Sequence, residues 1–598
     1  MSEGPLVPAA GPTAPTAPLA VPTGPTAPTG RLARLWARPL VAHVAMLALV
    51  LGLGLFLIGP RVGYSSDEGA ALSQARLLVR DHTWLYRYPL AGIDPQDQAR
   101  PFIRGDRGTK GVAPYAKHPL YPAVLAGADW VAGPAGWWVL TLIGTVGAAA
   151  MAALLARRLD PRLTRATLWV VGVGSPLLFD AYFVLAHSLA AFAAGAGALA
   201  LLVGIDPDRP WLRRIAWWAA AGVFLAWSAM LRTEALFLGP ALAAAVVGLA
   251  LFRRIDRVVA VGAAAAAFGG AVGAWLIDRV TSRLIIGAPL PGVTDAAPAS
   301  WMAGRWQALD TTWFRASYSG QRVGDLAVFL AALLLVAAAV AVRLRPSRRD
   351  VAAVLAAGAA IALVIRLALG SPGVIAGLAL AFPLGWVGLW SLRRATWAGV
   401  ASPLLTAASG LVVVAVLLTE YPRGGGIEWG GRYFAVVLPL AAPVLVAAAA
   451  AAVRHRPPDR LARWAPGLAV ALCVLPALLA IQALRSAHDA TARTLDAMSA
   501  AAATAGQAPG RDRTVVVSRN RLLPQIAYTD FGRYDWVVPD DLAPYGDRLV
   551  AAGIDRVVLV SPDPAADLAT LPGWRMVGQV PPGLPIGVAV IEHDPAAN

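Results

Sequence analysis

Residues 39–68 read PLVAHVAMLALVLGLGLFLIGPRVGYSSDE. From 39 to 59 this stretch carries no Asp, Glu, Lys or Arg, and its apolar residues follow neither a helical nor a strand period. Such a length of continuous apolar chain is what an α-helix needs to cross about 30 Å of hydrocarbon. Strands of a membrane barrel run only about 9–11 residues and alternate, so a barrel is excluded. Just beyond the run the composition turns polar, and adjacent carboxylates, Asp67 and Glu68, follow. The stretch therefore reads as a membrane helix that delivers two acids to one membrane surface.

The same signature recurs. Of the 598 residues, 58% are hydrophobic and 14% charged, and the mean hydropathy is +0.60, which excludes a soluble globular chain. Further apolar runs lie near 137–156, 166–182, 185–204, 215–231, 235–252, 257–277, 325–342, 351–369, 372–390, 397–418, 433–452 and 466–484. With the first they make about thirteen spans, so the expected fold is an all-α polytopic membrane protein.

The net charge of +16 and the pI near 10.7 fit this reading. The arginines fall in small clusters between apolar runs, with no basic face and no aromatic reader motif, so no nucleic-acid partner is expected. Arg31, Arg34 and Arg38 precede the first run. Alternate connections then carry Arg157-Arg158 with Arg162, Arg213-Arg214, Arg253-Arg254, the Arg343 to Arg349 cluster, Arg393-Arg394, and the Arg454 to Arg463 cluster. The positive-inside rule places all of these, with the N-terminus, in the cytoplasm. The expected location is a multi-pass plasma-membrane protein whose long connections, 60–136, 278–324, 419–432 and the C-terminal region, lie outside.

Residues 1–38 repeat Pro-Thr-Ala-Pro before the basic cluster and cannot bury a core, so a disordered cytoplasmic tail is expected. The following run reads as an uncleaved anchor, since no small-residue cleavage site accompanies it. Residues 39–490 form the membrane domain, with 60–136 as its first outer loop. Past about 510 the pattern turns soluble. Residues 514–518 (TVVVS), 555–561 (DRVVLVS) and 586–592 read as strands and 541–553 as a helix, giving a small extracytoplasmic α/β domain over 510–598. The lone Cys473 lies in an apolar run and reads as a small core residue. Asp81 to Tyr88 and Tyr115 to Trp130 are expected to form short helices along the outer surface.

Residues 60–122 are unusual in one respect: the chain's two lysines, Lys110 and Lys117, both fall there, against 51 Lys plus Arg overall. At the start of the stretch, Asp67 and Glu68 suit a general base toward a hydroxyl, or oxygen ligands for a divalent cation. They equally suit the first turn of a helix capped by Ser65 or Ser66. At its end, Lys117-His118-Pro119-Leu120-Tyr121-Pro122 sets cations beside a helix start. Lys117 is either a point charge for a phosphate or a lysine reaching lipid headgroups.

An acidic pair just after the first span, then a polar loop ending in a Lys-x-Pro-Leu-Tyr helix start, resembles the GT-C membrane glycosyltransferases. The resemblance is to the branch holding the protein O-mannosyltransferases and the aminoarabinose lipid A transferases, and it covers most of the chain. It implies a polyprenyl-phosphate-linked sugar donor, inverting transfer on the outer face, and a catalytic carboxylate at Asp67 with Glu68 assisting. His187, with Asp180 two turns earlier on one helical face, stands where such enzymes carry a second acid, for acid-base work or a metal. Arg232 and Glu234 resemble the family's Arg-x-Glu, whose plain reading is an interfacial ion pair. Gly430-Gly431-Arg432-Tyr433, with Pro439 beyond, resembles its Gly-Arg-Tyr before a Pro-containing helix. The donor phosphate is then assigned to Lys117, His118, Arg232, Arg432 and Tyr433. A divalent cation is compatible with the acids but not demanded by them. The expected partners are the lipid-linked donor, an envelope glycan, lipid or protein acceptor, and membrane lipids.

Two other classes stay in view. A transporter or lipid flippase places ionisable residues at mid-span, where only Arg366 stands here, and often shows inverted repeats. A lipid-diphosphate-dependent oligosaccharide polymerase or ligase carries its large loop late in the chain, whereas this one is early.

Overall fold

The apolar runs fold as helices because nothing else satisfies their backbone in lipid. The computed structural model of the chain describes residues 38–59, 63, 65–96, 98–102, 111–115, 118–285, 300–314, 377–392, 399–419, 429–454, 460–507, 512–578, 583–584 and 586–594. In chain order its helices are α1 (Leu40–Ile58), α2 (Ser66–Arg80), α3 (Leu120–Ala132), α4 (Pro134–Leu159), α5 (Thr164–Gly172), α6 (Leu177–Asp180), α7 (His187–Ile205) and α8 (Trp211–Leu231). Then come α9 (Leu238–Leu251), α10 (Arg257–Ile285), α11 (Trp301–Leu309), α12 (Leu378–Ala381), α13 (Pro383–Ser391), α14 (Ala401–Thr419), α15 (Leu438–Arg454) and α16 (Arg460–Ala505).

Among the described residues, nine helical segments are long and apolar enough to cross a membrane: α1, α4, α7, α8, Thr233–Leu251, α10, α14, Arg432–Arg454 and Pro466–Ala505. The expected thirteen are therefore not confirmed. Runs 325–342 and 351–369, with Arg366, lie outside the described residues, as do the tail before Arg38, Lys110 and Lys117. Two further runs are broken rather than continuous. Run 166–182 splits into α5 and α6 at Gly172-Val173-Gly174-Ser175-Pro176, where a Cβ on Gly174 would overlap the Cys473 sulfur. Run 372–390 splits at Pro383, which has no N–H to continue a helix.

Small residues set the packing. α7 is the most enclosed of the nine, 83% buried, and its Gly195, Gly197 and Gly204 admit Met151, Leu225 and Trp218 closer than side chains would allow. α1 is 28% buried and turns Phe56 and Leu57 outward, as a lipid-facing helix does. Basic connections meet at one end of the bundle. There Arg158 pairs with Asp206 at 3.3 Å, Arg454 with Asp160 at 2.8 Å, and Arg254 donates to the Gly399 carbonyl at 2.9 Å.

The other end carries the first polar stretch and the C-terminal domain. Its strands, β1 (Thr514–Ser518), β2 (Tyr534–Val537), β3 (Arg556–Ser561), β4 (Trp574–Met576) and β5 (Gly587–His593), form one sheet of order β2-β1-β3-β5-β4. β1 runs parallel to β2 and β3, and β5 antiparallel to β3 and β4. Helices α17 (Leu523–Ile526), α18 (Ala543–Ala551) and α19 (Pro564–Leu568) connect them. The readings at 514–518, 555–561, 586–592 and 541–553 match β1, β3, β5 and α18. β2 and β4 are too short to show a period. No break falls at 490, because α16 runs on to Ala505 and lays Leu495, Met498 and Ala502 on the sheet.

The first polar stretch folds into this domain. Leu77, Tyr86, Phe102 and Val112 pack with Val516, Trp536 and Val558 on one face, and Leu90, Ile93 and Ala99 with Val515, Val537 and Leu559 on the other. Asp81 to Tyr88 is not the expected helix. α2 ends at Arg80, His82 takes φ 50°, and Tyr86 pairs with Val112 as an extended bridge. The Val538 N–H donates to the Ala99 carbonyl at 2.6 Å, and the Tyr545 hydroxyl to Asp94 at 3.0 Å. Burial, and then the Asp94 carboxylate, push the Tyr545 phenol up to about 12. An unfolded tyrosine ionises near pH 10, so this contact stabilises fully below pH 10 and is lost as the pH climbs toward 12. We expect a melting-temperature profile over that range to be flatter in Tyr545→Phe than in the parent.

Candidate functional site

The site begins at the N-terminus of α2. Ser65 Oγ accepts the Glu68 N–H at 3.3 Å, and Glu68 Oε2 accepts the Ser65 N–H at 3.3 Å, a reciprocal capping box. Glu68 is fully buried, and its Oε1 also accepts the Val184 N–H at 2.8 Å. It ties the start of α2 to the turn before α7, so the capping reading holds for Glu68. Asp67, one residue earlier, is turned elsewhere. Its side chain keeps 26% exposure and meets Arg432, with Nη1 to Oδ2 at 3.3 Å.

Arg432 is held at this depth by backbone. Gly430 and Gly431 adopt φ of +72° and +62°, which a side chain rarely takes. A Cβ on Gly430 would overlap Pro176, and one on Gly431 would stand 2.5 Å from the Thr312 carbonyl oxygen. Trp429 stacks on Phe179 at 5.9 Å. The 3-10 turn Arg432–Val437 follows and leads into α15, with the Arg432 guanidinium 5.5 Å from the Tyr433 ring centre. Gly431→Ala should cost about 1–2 kcal/mol through the left-handed backbone alone. It should also displace Arg432, so activity is expected to fall further than melting temperature when both are measured.

Arg232 lies between α8 and the 3-10 turn Thr233–Phe237. Its Nε donates to Glu234 Oε1 at 2.9 Å, and both side chains are buried. Tyr115 connects this pair to the first. It is buried, and its phenol feels Arg232, Asp67, Arg432 and Glu234 together. Burial pushes the phenol far above its usual range. The two guanidinium groups oppose that shift and the two carboxylates add to it. The sequence signal for Tyr115 was weak; Gln74 accepts its N–H at 3.5 Å and donates to the Trp84 carbonyl at 2.9 Å, and the Tyr115 ring lies 6.3 Å from that of Tyr121.

The remaining candidates sit around this group. His118 bridges two elements, with Nδ1 3.0 Å from Asp278 Oδ1 and Nε2 2.9 Å from Thr233 Oγ1. It therefore fastens the loop's end beside the Arg232–Glu234 pair. Lys117 lies outside the described residues. Asp180 and His187 do meet, at 3.9 Å, but not on one helix. Asp180 ends α6, a turn intervenes, and His187 begins α7, where it stacks on Phe183. Among the described residues no three His, Cys, Asp or Glu side chains group as a metal site requires.

No family model matches this chain, and no curated protein does. Solved structures do. The oligosaccharyltransferase of Archaeoglobus fulgidus, in complex with Zn and sulfate, aligns over 86% of this chain and 67% of its own, with 15% identity and a TM-score of 0.50. ArnT from Cupriavidus metallidurans in the apo state covers 92% of this chain and 98% of its own, with 13% identity and a TM-score of 0.49. The same protein bound to undecaprenyl phosphate aligns over 92% and 97%, with 13% identity and a TM-score of 0.47. At such identities the likeness is one of architecture: the chain shares the overall fold of the oligosaccharyltransferase.

Proposed function

We propose that the chain is an inverting glycosyltransferase that moves a sugar from a polyprenyl-phosphate donor to an envelope glycan, lipid or protein on the outer face of the plasma membrane. The observation that carries this reading is Asp67 facing Arg432 at 3.3 Å, at the end of a GT-C fold remote from the basic connections. Those connections mark the cytoplasmic end by the positive-inside rule.

Arg432, with Arg232 behind it, receives the donor phosphate, since guanidinium groups match phosphate oxygens in charge and geometry. Tyr433 lies against Arg432, and His118, beside Lys117, shapes the entrance. As the donor phosphate takes up Arg432, the Asp67 carboxylate is released toward the acceptor. Its oxygen takes the acceptor hydroxyl proton while that hydroxyl oxygen bonds to the anomeric carbon from the opposite face. The bond from that carbon to the phosphate oxygen breaks with its electron pair, and the arginines stabilise the departing charge. The leaving group is already anionic, so no protonated acid is required, unlike hydrolysis of free glycosides with two carboxylates. Glu68 holds the helix rather than the substrate. Its oxygens accept backbone N–H groups, and the steps proposed for Asp67 and the arginines do not demand a divalent cation. The pair Asp180 and His187 packs behind this layer as support.

The test supplies labelled polyprenyl-phosphate sugars to membranes and to proteoliposomes containing the protein. Covalent transfer of label to an envelope acceptor supports the reading. Label that accumulates inside vesicles without any transfer overturns it in favour of transport. Mass spectrometry of copurifying lipids names the donor class.

A further inference from the structure

A short segment of the C-terminal domain reaches into the bundle. After β1 the chain forms α17 and the turn to Thr529, and this segment lies along α2. Gly69, in the first turns of α2, touches backbone there: a Cβ at this position would overlap the Gln525 carbonyl oxygen. Two turns on, Arg76 donates from Nη1 to the Tyr528 carbonyl at 3.1 Å and the Thr529 carbonyl at 3.0 Å. Its guanidinium also lies 5.4 Å from the Trp137 ring centre and 5.5 Å from that of Tyr528, between α4 and the domain. Tyr528 is 4% exposed, meets Trp137 edge-on at 5.9 Å, and its ring passes beside Gly63, just ahead of the capping box.

Residues 69 and 76 lie on one face of a helix, seven positions apart, with buried Ser73 between them. Asp67 is two positions from Gly69 and so about 200° around the axis, on the opposite side. A segment pressing on the face of Gly69 and Arg76 therefore backs the helix against the side that carries Asp67. The capping box fixes where α2 starts. Glu68 also ties the start of α2 to the Val184 N–H, and this segment adds a hold on the face opposite Asp67, which limits how the helix rolls about its axis.

We propose that the C-terminal domain serves the catalytic site as a backstop. Residues 525–529 set the roll of α2 and hold Asp67 against Arg432, with Gly69, Arg76 and Tyr528 as positioning residues. The inference rests on the function proposed above for the role of Asp67. An ångström of misplacement at a reacting group can cost about 10²-fold in rate, so a loosened α2 shows in turnover before it shows in donor binding.

The test uses the full chain in lipid nanodiscs. Arg76→Ala removes both carbonyl bonds and the stacked cation, and Arg76→Lys keeps the charge but not the fork. For Arg76→Ala we expect amide exchange over residues 66–72 to quicken at least about tenfold. We also expect kcat for transfer of a labelled sugar to fall by about 10²-fold, with the donor KM within about twofold of the parent. Arg76→Lys should recover part of both. Gly69→Ala should act in the same direction and more strongly. Unchanged exchange over 66–72 in Arg76→Ala, or quickened exchange with parental kcat, overturns the proposal. A parental rate in Asp67→Asn defeats the catalytic reading itself and this inference with it. An inactive Asp67→Asn beside a fully active Arg76→Ala defeats the inference alone.

Discussion

Replacing Asp67 with Asn is expected to lower sugar transfer by about 10²- to 10⁴-fold, the range a positioned general base contributes, while the protein folds and melts as the parent does. The amide is isosteric with the carboxylate and still offers an oxygen to Arg432, so the 3.3 Å contact has a substitute. What it lacks is the capacity to take the acceptor's proton. Donor binding should not weaken. The Arg432 guanidinium no longer faces a full negative charge, so donor KM is expected to stay level or fall. Transfer from a labelled polyprenyl donor by purified parent and variant, over a donor series, measures both quantities. Folded variant protein with parental turnover would remove Asp67 from the mechanism. A variant that raises KM alone would move Asp67 from base to binding group.

The second large effect concerns stability. Glu234→Ala leaves the Arg232 guanidinium buried without its 2.9 Å partner. Breaking a buried pair by removing one member costs about 3–5 kcal/mol, because the remaining charge is neither solvated nor compensated. The exposed pair of Arg521 with Asp540 gives the contrast. Its side chains are 39% and 76% exposed, and such pairs contribute only about 0–1 kcal/mol. We therefore expect Glu234→Ala to lower the thermal midpoint severely and Asp540→Ala to leave it nearly unchanged. The double replacement Arg232→Met with Glu234→Leu should recover most of the lost stability, since apolar residues of similar volume need no compensating charge. It should not recover transfer if Arg232 holds the donor phosphate. Parental stability in Glu234→Ala would show that the pair is better solvated than its burial indicates.

Parts of this protein could be read from the chain alone because they depend on neighbours in sequence. Run length and the absence of charge identify membrane helices, as at 39–59. Arginine clusters assign the ends of those helices, and the ends carrying Arg158, Arg254 and Arg454 do come together through Asp206, Gly399 and Asp160. The Ser65-x-x-Glu68 spacing marks a capped helix start, and it is one. Strands as apolar as β1, β3 and β5 declare themselves, whereas β2 and β4 are too short to do so.

Other features needed the folded chain. Run length read 166–182 as one span, yet the helix breaks between Gly172 and Leu177, where Pro176 disfavours helical backbone at Ser175. Seven-residue spacing would bring Asp180 and His187 near one helical face if the segment between the two spans were helical, whereas a turn brings them together. Tyr115 had only a weak signal of its own, and it lies where four charges contributed by three distant stretches act on its phenol. The pairing of Asp67 with Arg432 spans 365 positions, and the contact of Asp94 with Tyr545 spans 451. By itself the sequence determined the membrane class of the chain and the residue types available for chemistry, since both follow from local composition and spacing. Tertiary structure alone decided which carboxylate stays half-open beside an arginine and which is buried as a cap. Solvent exposure and charge pairing are properties of what surrounds a side chain, and here the surroundings come from the far end of the chain.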